Sequence, residues 1–361
     1  MSRKIKMLGA VLTLLPAFLC AQDVAGTLKS LRGQTMIERD GVKRPGKVGE
    51  ALYPKDRVLT SADGYVSVGL RDQSSLAIGP NSDVDLTKYN FNSTTHQGEQ
   101  QVRVRSGSLA AISGKLAKAS PEAVQFNAGT VTLGVRGTQF VVELQASPDQ
   151  SSVVLLKDSQ QQFVRSGSGL CWQIGASSSG CPTATDRFVL LPDRNGEVGA
   201  ITLHREGKTL DIRQAFAGAE IGEGDFRTVS FSESDLRARY KNLLGTLPPS
   251  PRTFIVRFAT GSADQLAPGS QIVIQQIKDA MTSWPVIPNV DVVGHTDTSG
   301  KAEQNDALSL QRAQVVSRWL DSTNLTSDRL QISGRGERQL LVPTPDETSE
   351  PMNRRVEITV Y

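Results

Sequence analysis

Residues 290–320 read VDVVGHTDTSGKAEQNDALSLQRAQVVSRWL, an apolar run followed by a polar turn and a long amphipathic segment. The first four residues predict a strand, because three of them are valine. Ala302–Leu320 predicts a helix, in which Leu308, Val315 and Trp319 form an apolar stripe. A strand followed directly by a helix favours a sheet with helices packed against it.

Polar side chains follow the predicted strand and line a second face of the predicted helix. Asp297 lies in the turn after the strand, where open α/β sheets place their ligands. Asn305, Ser309 and Arg312 fall at i, i+4 and i+7, so they share one helical face. A carboxylate opposite a guanidinium can hold a zwitterion, because the acid receives an ammonium group and the arginine a carboxylate. On the residues alone, a structural Asp297–Arg312 salt bridge explains the same pattern.

The surrounding segments continue the alternation of strand and helix. The predicted elements are strands at Phe254–Phe258, Val290–Val293, Leu330–Ile332 and Val356–Val360, and helices at Pro268–Trp284 and Ala302–Leu320. This βαβαββ order predicts a sheet with helices packed on it. Residues 253–361 are therefore expected to form one α/β domain.

The motif of this domain resembles that of the OmpA-like peptidoglycan-binding domain. Its carriers are Thr296, Asp297, Gly300, Asn305, Leu308, Ser309, Arg312 and Ala313, closed by Asn353, Arg354, Arg355 and Val356. The resemblance implies non-covalent binding of the diaminopimelate residue of uncrosslinked peptide stems. One departure is that Phe258 and Leu266 lie one residue further apart than is usual in the family.

The resemblance also assigns roles to single residues. Asp297 and Arg312 become the ligand pair, and Asn305 and Thr296 support it. Arg355 is counted among the peptidoglycan-binding residues as well. For Arg355 and its neighbour Arg354 two roles stay open, contact with a ligand carboxylate or anchorage of the last strand.

The N-terminal part has a different pattern, in which short apolar alternations are separated by turn signals such as Asp40-Gly41 and Asp63-Gly64. It is similar to the FecR-type β-domain. The carriers are Leu28, Leu31 and Gly33, then Leu52, Asp56 and Val58–Ser61, then Gly64–Val66 and Val68, then Leu76–Ser82, and finally Val135–Phe140. We therefore expect a multidomain protein with an all-β FecR-like domain at 22–150, a β-rich extension at 151–230 and a C-terminal OmpA-like α/β domain.

The first 21 residues are expected to be a signal peptide. Three basic residues precede an apolar run, Met7–Leu19, which is too short to span about 30 Å of hydrocarbon as a helix. Small residues around Ala21 place the cleavage before Gln22. A retained signal anchor and a lipidated Cys20 are the alternatives. No later stretch reaches transmembrane length, so no spanning segment is expected in the mature chain.

Export changes the interpretation of the cysteines. Cys171 and Cys181 flank a loop rich in glycine and serine, and they are expected to form a disulfide in an oxidising compartment. A metal site would need further histidine or cysteine ligands nearby, and the sequence has none there.

A helix and a proline-rich linker, residues 231–252, separate the two halves. Ser232–Leu244 has leucine and tyrosine at helical spacing, so the β-rich half is expected to cover its apolar face. Pro248, Pro249 and Pro251 favour an extended segment, at ~3.1 Å per residue. We expect this spacer to hold the halves about 20–25 Å apart and to be open to proteases.

Charge and histidine spacing exclude several classes of protein. The formal net charge of +3 comes from the first six residues, so the chain that follows the signal peptide is neutral and has no electrostatic footprint for nucleic acid. His96, His204 and His295 lie far apart and have no metal-ligand spacing. No nucleophile motif is present, so we expect neither an enzyme nor a cofactor.

Together these features predict a periplasmic, cell-wall-bound protein of a Gram-negative bacterium, with outer-membrane association as an open question. Peptidoglycan is the expected partner of the C-terminal domain. The FecR-like half is expected to present a surface to an envelope protein or glycan. The alternatives are an envelope sensor, whose FecR-like half receives a ligand or protein signal, and a wall-remodelling enzyme.

Overall fold

The computed structural model describes residues 23–144, 185–222, 225–284, 286–320, 325–326 and 329–361, and the strands at 153–158, 161–166 and 171–173. The predicted signal peptide and Cys181 lie outside the described residues. The signal peptide and the disulfide therefore stay predictions.

The N-terminal part is built almost entirely of strands. They are β1 (Gly26–Arg32), β2 (Thr35–Arg39), β3 (Val42–Pro45), β4 (Ala51–Leu52), β5 (Arg57–Thr60), β6 (Tyr65–Leu70), β7 (Ser75–Ile78), β8 (Asp83–Phe91), β9 (Gly98–Ile112), β10 (Val124–Ala128), β11 (Val131–Arg136), β12 (Gln139–Leu144), β13 (Val153–Asp158), β14 (Gln161–Ser166), β15 (Cys171–Gln173), β16 (Asp186–Leu191), β17 (Ala200–Arg205), β18 (Lys208–Ile212), β19 (Ala217–Ile221) and β20 (Phe226–Ser230). One short helix, α1 (Lys115–Ala119), and a 3₁₀ turn at Pro121–Ala123 interrupt the series.

Two sheets share the long strand β9. Its first half pairs with β8 and β10, and its second half pairs with β7 and β12. Apolar side chains from both sheets, among them Val66 and Val102, belong to one buried core. Alternation along β9, buried at Val102 and Val104 and exposed at Arg103 and Arg105, is the period expected of a strand with one face on that core.

Strands after residue 185 continue the same two sheets. β16 pairs with β12, and β17 pairs with β11, both antiparallel. The described strands of the predicted extension at 151–230 thus share the core of the preceding domain, except β13–β15, which form a small sheet of their own.

Two short helices, α2 (Glu233–Arg239) and α3 (Lys241–Thr246), follow the last of these strands. The hydroxyl of Ser232 accepts a hydrogen bond from the Asp235 N–H and caps α2. Leu236, Tyr240 and Leu243 pack on the outer face of the sheet that contains β7 and β12. The predicted burial of this apolar face against the strands is therefore observed. We call residues 23–247 the β-half.

The C-terminal domain, residues 252–361, has a four-stranded sheet and two longer helices. Its elements are β21 (Arg252–Arg257), α4 (Ser270–Thr282), β22 (Val290–Gly294), α5 (Ala302–Trp319), β23 (Leu330–Gly334) and β24 (Arg355–Val360). The strand order is β21-β24-β22-β23, with β22 and β23 parallel and the other pairs antiparallel. A β-rich N-terminal region followed by an α/β domain agrees with the multidomain prediction.

The two halves contact each other, so the predicted separation by 20–25 Å is wrong. Lys29 in β1 donates to the main-chain oxygen of Tyr361 at 2.9 Å. Asp291 in β22 accepts hydrogen bonds from Gln73 and Lys115 of the β-half, at 2.7 and 3.0 Å. A proline-rich segment is itself extended, but it does not prevent the chain on either side of it from folding back.

Among the described residues, no helix has the length and apolarity that a membrane crossing requires.

Candidate functional site

Helix α5 lies unusually close to β22, the strand that precedes residues 295–301, which contain Asp297 and which we call the ligand loop. A Cβ atom at Gly294, the last residue of β22, would overlap the carbonyl oxygen of Ser309 in the helix. A Cβ at Gly334, its partner on β23, would approach the backbone of Leu310 and the Ser309 hydroxyl. Two glycines paired across parallel strands therefore let the helix backbone rest on the sheet. This contact brings the polar face of α5 against the loop after β22.

Asp297 is the centre of a buried polar cluster in that loop. Its Oδ1 accepts from the Ser299 hydroxyl at 2.8 Å, and its Oδ2 accepts from the Glu350 N–H at 3.2 Å and from Arg354 Nη1 at 2.7 Å. Burial alone would raise the pKa of the Asp297 carboxyl. The hydrogen bonds from Arg354, Ser299 and the Glu350 N–H, and the charge of Arg354, hold that pKa below its ordinary value instead. The carboxylate is thus ionised at neutral pH.

Arg312 of α5 is buried completely. Its Nε donates to the Ser262 carbonyl at 2.9 Å and its Nη1 to the His295 carbonyl at 3.3 Å, and the guanidinium lies 5.4 Å from the centre of the Phe258 ring. Burial and the nearby charge of Arg354 lower the pKa of Arg312 to about 10, so it remains a cation at pH 7. Nη2 is buried and has no hydrogen-bond partner among the described residues.

Asn305 and Thr296 complete the loop side of the site. The Asn305 amide donates to the Ser299 carbonyl at 3.2 Å and to Glu337 Oε2 at 2.6 Å, so it ties the loop after β22 to the loop after β23. Thr296 N–H donates to the Gly336 carbonyl at 2.9 Å. The Thr296 hydroxyl is buried and, within the described part of the chain, lacks a hydrogen-bond partner.

The two arginines at the start of β24 face different surroundings. Arg354 contacts Asp297, whereas Arg355 donates to Glu357 Oε1 at 2.7 Å and to the Gln339 carbonyl at 3.3 Å. Arg354 lies in the bend before β24, whereas Arg355 is the first residue of the strand and lies on the same face as Glu357. The structure thus brings Thr296, Asp297, Asn305 and Arg312 together, and it places Arg354 rather than Arg355 beside them. The alternative of a direct Asp297–Arg312 salt bridge is not observed, because Asp297 pairs with Arg354.

His295 precedes the ligand loop and is also buried completely. Burial lowers its pKa to about 3, and the neighbouring charges of Arg355, Arg335 and Lys115 act in the same direction. The imidazole is therefore neutral at pH 7 and adds no charge to the site.

The cluster combines three kinds of group that a zwitterion needs. Asp297 supplies a negative charge, Arg312 supplies a positive charge with an unused N–H donor, and the Thr296 hydroxyl supplies a further polar atom. Buried polar groups of this kind are nearly always satisfied, so Arg312 Nη2 and the Thr296 hydroxyl are available to a water molecule or a polar ligand. Among the described residues, no group of histidine, cysteine and acidic side chains could hold a metal ion.

Comparison with known proteins finds two family models, one in each part of the chain. Residues 257–354 match the family model described as OmpA family, and residues 56–159 match the model described as FecR protein. An outer membrane protein of Gluconacetobacter diazotrophicus is 35% identical over 121 residues, which cover 32% of this chain and 31% of that protein. The peptidoglycan-associated lipoprotein of Pseudomonas aeruginosa is 37% identical over 65 residues, which cover 18% of this chain and 39% of that protein.

A solved structure, the peptidoglycan-associated lipoprotein from Burkholderia pseudomallei, aligns at 26% identity with a TM-score of 0.27, over 30% of this chain and 90% of that chain. The alignments with the outer membrane protein and with the Pseudomonas lipoprotein each span less than half the length of that relative. The two resemblances inferred from the sequence are confirmed: residues 257–354 have the pattern of the OmpA family, and residues 56–159 have that of the FecR family.

Proposed function

We propose that this protein binds peptidoglycan non-covalently in the bacterial cell envelope, and that its C-terminal domain holds the diaminopimelate residue of an uncrosslinked stem. The observation that carries the proposal is the completely buried Arg312, whose Nη2 has no partner among the described residues although an ionised carboxylate lies in the same cluster. A buried donor without a partner costs about 1–3 kcal/mol, and a ligand would recover that cost. The match to the OmpA family supports the same function.

Diaminopimelate suits this cluster because the end of its side chain bears both an ammonium group and a carboxylate. The ammonium group would bind Asp297, whose Oδ1 accepts from the Ser299 hydroxyl alone in the described part of the chain. The carboxylate would bind Arg312 Nη2 and the Thr296 hydroxyl, two of the buried polar groups that have no hydrogen-bond partner among the described residues. Lysine, which replaces diaminopimelate in some cell walls, has the ammonium group alone and would leave Arg312 unpaired. Recognition of both charges therefore explains why the site has both residues.

The function proposed for this cluster is binding without catalysis. Its carboxylate is held ionised, and its histidine is neutral and buried, so neither group is poised to move a proton at neutral pH. Export by a signal peptide and a disulfide between Cys171 and Cys181 belong to the same proposal, because an envelope protein must leave the cytoplasm and folds in an oxidising compartment.

The test is co-sedimentation of residues 22–361 with purified sacculi. We expect binding to sacculi that contain diaminopimelate, and weaker binding to sacculi that contain lysine at the same position. Asp297→Asn and Arg312→Gln should each remove most of the binding, since each leaves one charge of the bound ligand without its partner on the protein.

The matched controls are Asp306→Asn and Arg318→Gln on the same helix. Asp306 forms an exposed pair with Arg338, and Arg318 is exposed in the last turn, so both variants should bind like the wild type. Wild-type binding by Asp297→Asn and Arg312→Gln would refute the assigned site. No binding by the wild-type chain would refute the function itself.

A further inference from the structure

The β-half touches the strand that leads into the ligand loop. Asp291 in β22 is buried, and it lies six positions before Asp297 along the chain. Its Oδ2 accepts from Gln73 Nε2 at 2.7 Å and from Lys115 Nζ at 3.0 Å, and its Oδ1 accepts from the Tyr361 hydroxyl at 3.1 Å. Two of these partners, Gln73 and Lys115, belong to the β-half. In the described structure, Lys115 is the only cation that forms a salt bridge with Asp291.

A buried carboxylate depends strongly on such partners. Removing one partner of a buried ion pair leaves an uncompensated charge, which then seeks water or another donor. Asp291 is therefore satisfied only while Gln73 and Lys115 stay docked against β22. The position of β22 therefore depends on the docked β-half, and so does the position of the ligand loop that follows β22.

A second contact reaches the other side of the ligand loop. Arg335 follows β23, and its Nη2 donates at 2.6 Å to the carbonyl of Ser93, which lies in the turn between β8 and β9. The next residue, Gly336, accepts from the Thr296 N–H and donates to the Ser309 hydroxyl, each at 2.9 Å. Glu337 then accepts from the Asn305 amide. Three consecutive residues thus connect the β-half to both flanks of the site.

From these contacts we propose that Lys115, through Asp291, and Ser93, through Arg335, position the ligand loop, so that docking of the β-half and binding of the stem peptide stabilise each other. The inference rests on the proposed function and adds its regulation. Coupling between two equilibria is reciprocal, so a bound stem peptide strengthens docking by the same factor by which docking strengthens binding. A partner that binds the docked face of the β-half would weaken the binding of peptidoglycan. Binding of peptidoglycan would in turn stabilise the docked position of the β-half.

Other contacts keep the halves together when one of these links is removed. Lys29 donates to the main-chain oxygen of Tyr361, Arg329 to the Gly49 carbonyl, and Gln331 to the Arg71 carbonyl. Loss of Lys115 alone should therefore loosen the strand that leads to the site without separating the halves. This makes Lys115 a suitable place to test positioning.

The first experiment measures the affinity of residues 22–361 for a soluble stem peptide, L-alanyl-D-glutamyl-meso-diaminopimelate, by calorimetry. We expect Lys115→Met to raise the dissociation constant about fivefold or more, the lower range of typical coupling. Lys118→Met is the matched control, since Lys118 is exposed on the same short helix, and it should leave the constant unchanged. Thermal unfolding of both variants shows whether the fold is retained.

The second experiment needs no variant that alters the interface. Hydrogen exchange of the wild-type chain is compared with and without the peptide. Reciprocal coupling slows exchange in residues 91–98 and 115–119 of the β-half, although neither segment contributes to the ligand cluster. In Asp297→Asn the peptide should cause no such slowing.

The outcomes separate this inference from the proposed function. If the wild-type chain binds the peptide but Lys115→Met binds equally well, and exchange in the β-half does not change, positioning by the β-half is refuted and the anchoring function stands. If Lys115→Met melts at a lower temperature with an unchanged dissociation constant, Lys115 is only structural and the inference also fails. If the wild-type chain binds no peptide, the proposed function fails first.

Discussion

Asp297 and Arg354 form a buried ion pair, with 2.7 Å between Oδ2 and Nη1, and each side chain is only 8% exposed. The pair keeps Asp297 ionised, and among the described residues Arg312 forms no salt bridge with a carboxylate. Because Arg354 neutralises Asp297, the positive charge of Arg312 remains available to a ligand. The site is thus tied to the sheet, because Arg354 directly precedes β24, which pairs with the strand that leads to Asp297.

Removing Arg354 should destabilise the C-terminal domain and weaken binding together. Arg354→Gln leaves a buried carboxylate without its cation, which costs about 3 kcal/mol of unfolding free energy. Urea unfolding of Arg354→Gln measures this loss. Arg338→Gln is the control, because it breaks only the exposed pair with Asp306 and should cost less than about 1 kcal/mol. Equal effects of the two substitutions would contradict the importance of the buried pair.

The stability of the fold should fall in mild acid because of His295. Its pKa is about 3 in the folded chain, against an ordinary value of 6.5. Between these values the unfolded chain binds a proton that the folded chain does not, so the stability present above pH 6.5 is lost as the pH falls toward 3. The slope from this group is about 1.4 kcal/mol per pH unit.

Unfolding by urea at several values between pH 4 and pH 7 measures that slope. His295→Gln removes the titrating group, so its stability should depend less steeply on pH than that of the wild type. His96 remains in both proteins, and its own lowered pKa, about 4, contributes equally to both curves. Parallel curves for the two proteins would show that His295 is not held neutral by burial.

A methyl group at Gly294 should disturb the site from a distance. The added Cβ would overlap the carbonyl oxygen of Ser309, so α5 must move away from the sheet and take Asn305 and Arg312 with it. Overpacking of this kind costs about 1–3 kcal/mol. Gly294→Ala should therefore lower both the melting temperature and the affinity for sacculi.

Gly245→Ala is the matched control for this substitution. Gly245 lies in α3, and an added Cβ would meet open space there. Replacing glycine by alanine inside a helix should stabilise the fold by about 0.4–1 kcal/mol. A Gly294→Ala protein that melts and binds like the wild type would show that the close approach of α5 is not needed.

The proline-rich segment should resist proteases, contrary to the expectation from its sequence. Arg194 of the β-half donates to the Ser250 hydroxyl at 2.9 Å and to the Pro248 carbonyl, so it holds the segment against the β-half. Arg194→Gln should speed cleavage between residues 247 and 253 in limited proteolysis. Arg213→Gln, which alters an exposed arginine elsewhere in the β-half, should not. Rapid cleavage of the wild-type chain at this segment would contradict this contact.

Local patterns predict the strands and helices of the C-terminal domain. A strand, a turn and a helical face within a few dozen residues bring Asp297 and Arg312 into one candidate cluster, and only the resemblance to the OmpA-like domain assigns them to a ligand. Arg354 could not be told from Arg355, since the register of the last strand decides which of two neighbours faces the loop. That register depends on pairing with β21 and β22, which begin 103 and 65 positions earlier.

The interface between the halves left no local signal. Lys115 and Asp291 are 176 positions apart, and neither segment has a sequence pattern that points to the other. The proline-rich spacer favoured the opposite interpretation, because its conformation is local and the contacts that fold the chain back are not. The sequence likewise gave no indication that β9 changes sheets halfway along its length.

The pairing of β21 with β24 has a mechanical consequence for a chain tethered at its ligand site. The proline-rich segment enters at Arg252, at one end of the sheet, whereas Asp297 follows the other end of β22, which runs in the same direction as β21. If the wall is held at Asp297 as proposed, tension between the wall and the rest of the protein would act along the strands and shear them. The hydrogen bonds of the six residue pairs from Arg252↔Val360 to Arg257↔Arg355 bear the load side by side and do not open one after another. The sheet therefore resists force along its strands better than force across them, which would break the same hydrogen bonds one at a time.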